Sequence, residues 1–133
     1  MIVIAALVLA RIGVLFSPKP WVIVLQIAAA LLMLWARVSF GLRSFHADAG
    51  PTAGGLVTHG PYRFLRHPIY AAICLFISAA VAAQLSPLTV SLGVLATAGV
   101  ILRLLCEERL VAERYPEYAA YAQGTKRLFP GLW

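Results

Sequence analysis

Four long apolar runs dominate this chain, at residues 2–16, 21–40, 69–84 and 88–106. A helix crossing the hydrocarbon core of a bilayer needs about 20 predominantly apolar residues. The second and fourth runs meet that length. The first and third reach it by drawing in flanking residues or by thinning the bilayer locally. Only 12% of the 133 residues are charged, against about 25% in an ordinary soluble domain. Mean hydropathy is +0.87. These features predict an all-α integral membrane bundle of four transmembrane helices with a short C-terminal interfacial helix. Residues 2–16 carry no basic n-region, and no small-x-small site precedes Ser17-Pro18-Lys19-Pro20. They read as a retained span and not as a cleaved signal.

The punctuation agrees with this division. The prolines of Ser17-Pro18-Lys19-Pro20 cannot continue a helix, because each lacks an N–H and clashes with the preceding turn. Pro20 can open the second helix at its first position, with Trp21 at headgroup level. Ser86-Pro87 reads as an N-cap followed by proline at N1, which predicts a tight hairpin of the third and fourth helices. The one long loop, 41–68, carries Gly50-Pro51 and Gly54-Gly55. Loops of this length are commonly functional or disordered.

Charge sets an expected orientation. Nine of the eleven basic residues (Arg37, Arg43, Arg63, Arg66, Arg103, Arg109, Arg114, Lys126 and Arg127) fall near the long loop or the C-terminal tail. Lys19 lies in the opposite loops. The positive-inside rule then places the long loop, the tail and both termini in the cytoplasm. All five acidic residues (Asp48, Glu107, Glu108, Glu113, Glu117) lie on that side too. Arg11 falls within the first run and is expected to snorkel to the outer interface.

Polar chemistry is concentrated in two places. The first is His59-Gly60-Pro61-Tyr62-Arg63-Phe64-Leu65-Arg66-His67-Pro68-Ile69-Tyr70, with two arginines, two histidines and two tyrosines directly before an apolar run. The second is Arg103-Leu104-Leu105-Cys106-Glu107-Glu108, at the end of the fourth run. Arg103 and Glu107 share a helix face at i, i+4. Glu107 and Glu108 point about 100° apart and do not both face one ligand squarely. Tyr118 and Tyr121, at i, i+3, can line one face of a short helix. A solvated helix with aromatic headgroup anchors accounts for the tail alone. It does not account for the clustering of both segments on one side.

Three ordered segments together resemble the isoprenylcysteine carboxyl methyltransferase family of integral membrane enzymes. They are Gly60-Pro61-Tyr62-Arg63 with Arg66-His67-Pro68-Ile69-Tyr70; Arg103 with Glu107-Glu108 and Leu110; and Glu117-Tyr118 with Tyr121 and Arg127-Leu128-Phe129-Pro130. The resemblance divides the chain into an N-terminal hairpin region, 1–55, and a methyltransferase motif region, 56–133. It implies S-adenosylmethionine as methyl donor and a lipidic or prenylated acceptor, with membrane lipids around the protein and an active site facing the cytoplasm. On this reading His59, Gly60, Pro61, Tyr62, His67, Pro68, Tyr70, Arg103, Glu108, Tyr118 and Tyr121 form the cofactor site. Arg66, Arg63 and Glu107 are the catalytic candidates.

The residue chemistry is compatible with that implication. The donor's carboxylate calls for arginine or histidine, its ammonium for a carboxylate, and its sulfonium for aromatic faces. A carboxylate acceptor is ionised at neutral pH and needs a cation to orient it, whereas an amine acceptor needs a base such as His67 or Glu107. The resemblance implies carboxyl O-methylation; the residues themselves leave carboxylate and amine acceptors both open. Pro68 is read structurally, as a helix start. His46 and Asp48 are read as loop surface. Cys74 and Cys106 are read as small packing residues. The three histidines lack a compact ligand spacing, so no metal is expected. No nucleic-acid partner is expected either. Gly93, Ala96 and Gly99 would allow close helix approach, and a homodimer is a further expectation. Two other classes compete: an NADPH-dependent membrane reductase of the steroid-reductase type, and a non-enzymatic module whose basic face binds anionic lipid. The first needs more phosphate-binding basic residues than this chain offers. The second leaves the adjacent glutamates unexplained.

Overall fold

The computed structural model describes residues 2–11, 13–41 and 56–129. Arg43, His46, Asp48, Gly50-Pro51, Gly54-Gly55 and Pro130 lie outside the described residues. The described chain forms α1 (Ile2–Arg11), α2 (Pro20–Phe40), a 3-10 turn (Gly60–Arg63), α3 (Pro68–Ala83), α4 (Pro87–Arg114) and α5 (Tyr118–Gly124). No strand forms among them. The one β-type pairing is an isolated parallel bridge between Leu65 and Lys126.

The helix starts follow the local chemistry. Proline occupies the first turn of α2, α3 and α4, where its missing N–H costs nothing. Ser86 caps α4: its side chain accepts from the Thr89 N–H, and Thr89 Oγ1 in turn accepts from the Ser86 N–H. This reciprocal pair is a capping box, with threonine in place of the usual glutamate or glutamine.

The expectation of four transmembrane helices is corrected to two candidate spans. Only α2, with 21 residues, and α4, with 28, are long and apolar enough to cross a membrane among the described residues. The apolar helix α3 has 16 residues, or about 24 Å of rise against a hydrocarbon core of about 30 Å. In α1 the apolar run continues to Phe16 but the helix ends at Arg11. Gly13 turns the backbone to φ +71°, and the Val14 and Leu15 N–H groups fold back onto the Leu9 carbonyl. Apolar composition persists past this point, while the hydrogen-bond ladder does not.

Packing sets the ends of the bundle. α2 packs chiefly on α3, and α1 chiefly on α4. Val22 at the start of α2 meets Ala79 and Ala83 at the end of α3. Leu32 near the other end of α2 packs against the Leu65, Ala71, Leu104 and Leu128 cluster. The two helices therefore run antiparallel. Lys19 Nζ donates to the Ala83 carbonyl at 2.5 Å, satisfying an orphan acceptor at the α3 C-terminus. Gln26, itself buried, donates to the Leu15 carbonyl at 2.6 Å and ties the turn after α1 to α2. The 3-10 turn, the start of α3, the end of α4 and α5 all gather at the opposite end. That end carries the polar site.

Candidate functional site

Glu108 is the hub of the polar end. Its side chain is only 11% exposed. Oε1 accepts from Arg66 Nε at 3.0 Å and from the Tyr118 hydroxyl at 3.0 Å, with His67 Nε2 at 3.3 Å. Oε2 accepts from Arg127 Nε at 2.9 Å. One carboxylate thus joins α4, the start of α3, α5 and the segment after α5. Charge-assisted bonds of this kind are about twice as strong as neutral ones.

The segment after α5 is also fastened by its backbone. Arg66 N–H donates to the Lys126 carbonyl at 2.7 Å, His67 N–H to the Arg127 carbonyl at 3.0 Å, and Lys126 N–H to the Phe64 carbonyl at 3.1 Å. Leu65 and Leu128 turn inward on either side of this pairing and join Ala71 and Leu104 in the core. Arg66 Nη1 donates to the carbonyls of Ala122 and Thr125, at 2.6 and 3.2 Å. The Tyr121 hydroxyl donates to the Tyr62 carbonyl at 2.6 Å, and Thr125 Oγ1 donates to the Tyr121 carbonyl at 2.7 Å. Burial pushes the Tyr121 hydroxyl up to about 12 and raises those of Tyr62 and Tyr118 well above the usual phenol range. For Tyr118 the Glu108 carboxylate adds to the effect of burial. These phenols stay protonated near neutral pH, so Tyr118 and Tyr121 remain donors.

Glu107 belongs to a separate and more open group. Its Oε1 accepts from the Tyr70 hydroxyl at 2.5 Å and from Arg103 Nε at 3.2 Å. Arg103 Nε also donates to the Tyr70 oxygen at 2.7 Å. The Arg103 and Glu107 side chains are 41% and 22% exposed. Both bonds to Glu107 fall on one oxygen, which leaves Oε2 outside them. This trio sets a carboxylate and a guanidinium side by side. It can receive the ammonium and the carboxylate of a zwitterionic ligand. The rings of Tyr70 and His67 lie 5.8 Å apart and form one wall between the two carboxylates.

The 3-10 turn closes the other flank. Pro61 and Tyr62 are buried, and the Tyr62 ring packs on Phe40 at 5.6 Å between centroids. Gly60 has φ +61°, and a Cβ there would overlap the Ser39 side chain and approach Trp35 Nε1. Backbone conformation and space both demand glycine. Gly60→Ala is expected to lower stability by more than about 1 kcal/mol, seen as a lower Tm. A Ser39→Ala background should recover part of the loss by removing the Oγ overlap.

Each sequence-predicted site residue has a definite place. His67, Tyr70, Arg103, Glu107, Glu108, Arg66 and Tyr118 converge at one end of the bundle. The 100° separation of Glu107 and Glu108 divides them between two bonding groups. Pro68 is buried as the first residue of α3. His59 precedes the 3-10 turn and is exposed. Arg63 is exposed, with its guanidinium 5.7 Å from the Phe64 ring centroid. Arg66, a catalytic candidate, is largely enclosed: its side chain is 12% exposed, with Nε and Nη1 engaged by Glu108 and the tail carbonyls. Arg127 stands in the third resembling segment without a site role, and Thr125 in none; the structure brings both to the site. Ser39 and Trp35, which impose glycine at position 60, carry no motif at all.

The described residues thus form a helical bundle with two candidate spans and a carboxylate–guanidinium–tyrosine site at one polar end. A model of the phospholipid methyltransferase family matches residues 20–118, from the start of α2 to the start of α5. The chain belongs to that family, which includes the isoprenylcysteine carboxyl methyltransferase-like membrane enzymes. It is also similar to the cobalt-zinc-cadmium resistance protein CzcN of Cupriavidus metallidurans, with 37% identity over 83 residues. That match covers 58% of this chain and 36% of the relative, so the chain spans about a third of that protein's length. No solved structure matches significantly.

Proposed function

We propose that this protein is an S-adenosylmethionine-dependent methyltransferase that carboxyl-methylates a lipidic or prenylated acceptor at the membrane surface. The observation that carries this reading is the Tyr70–Glu107–Arg103 trio, set beside the buried Glu108 hub in a chain of the phospholipid methyltransferase family. S-adenosylmethionine carries an electrophilic methyl group, and its zwitterionic amino-acid end matches the paired charges of Arg103 and Glu107. Glu107 would take the ammonium and Arg103 the carboxylate. The His67 and Tyr70 rings would flank the rest of the donor. Glu108 and Arg66 act as positioning residues that hold the tail against the site. The exposed Arg63 is then the guanidinium left to orient an anionic acceptor. Alignment of the two reactants supplies much of the rate in a methyl transfer, and an ionised carboxylate needs no general base.

The distribution of basic residues favours a cytoplasmic polar end, a multi-pass chain and α3 as the return segment between α2 and α4. In a Cys106→Ser background, cysteine at the exposed Gln123 should react with impermeant maleimide only after cell lysis. Cysteine at Leu85, 74% exposed at the opposite end, should react in intact cells. The reverse pattern would invert the orientation.

The reaction is tested by methyl transfer from labelled S-adenosylmethionine in lipid nanodiscs. Farnesylated cysteine, a phospholipid amine and a soluble carboxylate are offered separately. Transfer to the farnesylated carboxylate above the other two is expected. Preference for the soluble acceptor would defeat the membrane-acceptor reading, and preference for the amine would replace O-methylation with N-methylation.

A further inference from the structure

Three helices measure the height of the apolar belt independently. α3 has 16 residues, from Pro68 beside the polar site to Ala83 at the far end, and rises about 24 Å. The exposed apolar face of α4 runs from Leu88 to Leu102, and Arg103 follows at once. From Pro87 to Leu102 the rise is again about 24 Å. α2 is free of charge between Lys19 and Arg37, a rise of about 26 Å. Its tryptophans, Trp21 and Trp35, are both exposed. They stand nearly four turns apart on one face of the helix, about 21 Å along its axis. Exposed tryptophans so placed mark the two membrane–water interfaces. Every one of these measures falls short of a hydrocarbon core of about 30 Å, and helix tilt shortens the belt further. Arg11 adds an observation of a different kind. Leu9 and Val14 pack against Ile77 and Ala96, near the middle of α3 and of the apolar stretch of α4. Arg11 lies between them in sequence, at the end of α1, and is exposed. A charged side chain therefore faces outward well inside the belt. A charge at such depth draws headgroups and water down toward it.

We propose that the outer surface of this bundle fits a thin membrane: it gathers short-chain lipids around itself and thins longer-chain bilayers locally. The inference takes the membrane-spanning arrangement of α2, α3 and α4 from the proposed function. The preference for thin membranes stands on the belt height and on Arg11. A bilayer of full thickness would cover Arg103, the start of α3 or the far-end Lys19 with hydrocarbon, and burying those groups without water is costly. Bringing the surface down to the level of Pro68 and Arg103 avoids this. It also sets lipid headgroups and a water-soluble ligand at one depth, beside the Tyr70–Glu107–Arg103 trio.

The test uses the full chain with Trp133→Phe, which leaves Trp21 and Trp35 as the reporters. It is reconstituted in phosphatidylcholines with myristoleoyl, oleoyl or erucoyl chains. Tryptophan quenching by brominated lipids of each length reads their relative affinity for the protein surface without any methyl transfer. Affinity is expected to be highest for the myristoleoyl lipid and several-fold lower for the erucoyl lipid. Arg11→Leu should move the preference toward the oleoyl lipid, and Ile4→Leu, at another exposed position of α1, should not. If Arg11→Leu does not fold, the chain-length profile of the unaltered Arg11 protein decides by itself. Methyl transfer to farnesylated cysteine should be several-fold faster in myristoleoyl than in erucoyl bilayers. Equal affinity for the three lipids, or highest affinity for the oleoyl or erucoyl lipid, would overturn the inference and leave the proposed reaction untouched. A myristoleoyl preference with no methyl transfer in any bilayer would withdraw the proposed reaction and leave the thin-membrane fit standing.

Discussion

Replacing Glu108 by alanine should release the C-terminal segment from the bundle. The substitution removes the common acceptor of Arg66, Tyr118 and Arg127 and the neighbour of His67 Nε2. Two guanidinium groups lose their carboxylate, one of them on a side chain only 12% exposed. Breaking a buried ion pair by deleting one partner costs roughly 3–5 kcal/mol. The expected result is a marked drop in Tm together with loss of amide protection at Arg66, His67 and Lys126, whose backbone pairing depends on the segment staying in place. Glu108→Gln keeps an acceptor oxygen and should lose less. Unchanged protection in Glu108→Ala would mean that the backbone pairing and the Leu65–Leu128 packing hold the segment without the hub.

Glu107→Gln should separate binding from stability. Its partner Arg103 is 41% exposed, and exposed ion pairs contribute about 0–1 kcal/mol. Thermal stability is therefore expected to stay close to wild type. Donor affinity is a different matter. A hydrogen bond to a charged group is worth about 1.5–3 kcal/mol, so S-adenosylmethionine should bind about one to two decades more weakly. Isothermal titration beside a thermal melt reads both quantities. A large fall in Tm with unchanged affinity would move Glu107 into the scaffold and return the donor's ammonium to another group.

Local signals in the sequence reached the structure well. Pro20, Pro68 and Pro87 open their helices, and Ser86 caps as its position before Pro87 implied. These features are legible because a cap or an N1 proline acts within one turn. Helix ends without such punctuation were less legible. In the apolar run at residues 2–16 only Gly13 marks the stop of the ladder at Arg11, because side-chain hydropathy does not report the backbone's return to Leu9. Separate roles for Glu107 and Glu108 were partly legible. The 100° between adjacent helical residues predicts that they part, but not which one is enclosed. That depends on the Leu65–Lys126 bridge and on α5 folding over Glu108. The bridge joins residues 65 and 126, far apart in the chain, and no periodicity or spacing announces it. The enclosure of Arg66 is illegible for the same reason: its carbonyl partners at Ala122 and Thr125 have no sequence signature.

The central claim, that the polar end is a methyl-donor site, is tested most directly by equilibrium binding of S-adenosylmethionine against NADPH to the purified wild-type protein. A micromolar Kd corresponds to about −8 kcal/mol, a reasonable yield for a zwitterion held at both charges. The account predicts saturable S-adenosylmethionine binding in that range, weakened in Glu107→Gln, with no saturable binding of NADPH. Saturable NADPH binding with none for S-adenosylmethionine would contradict it.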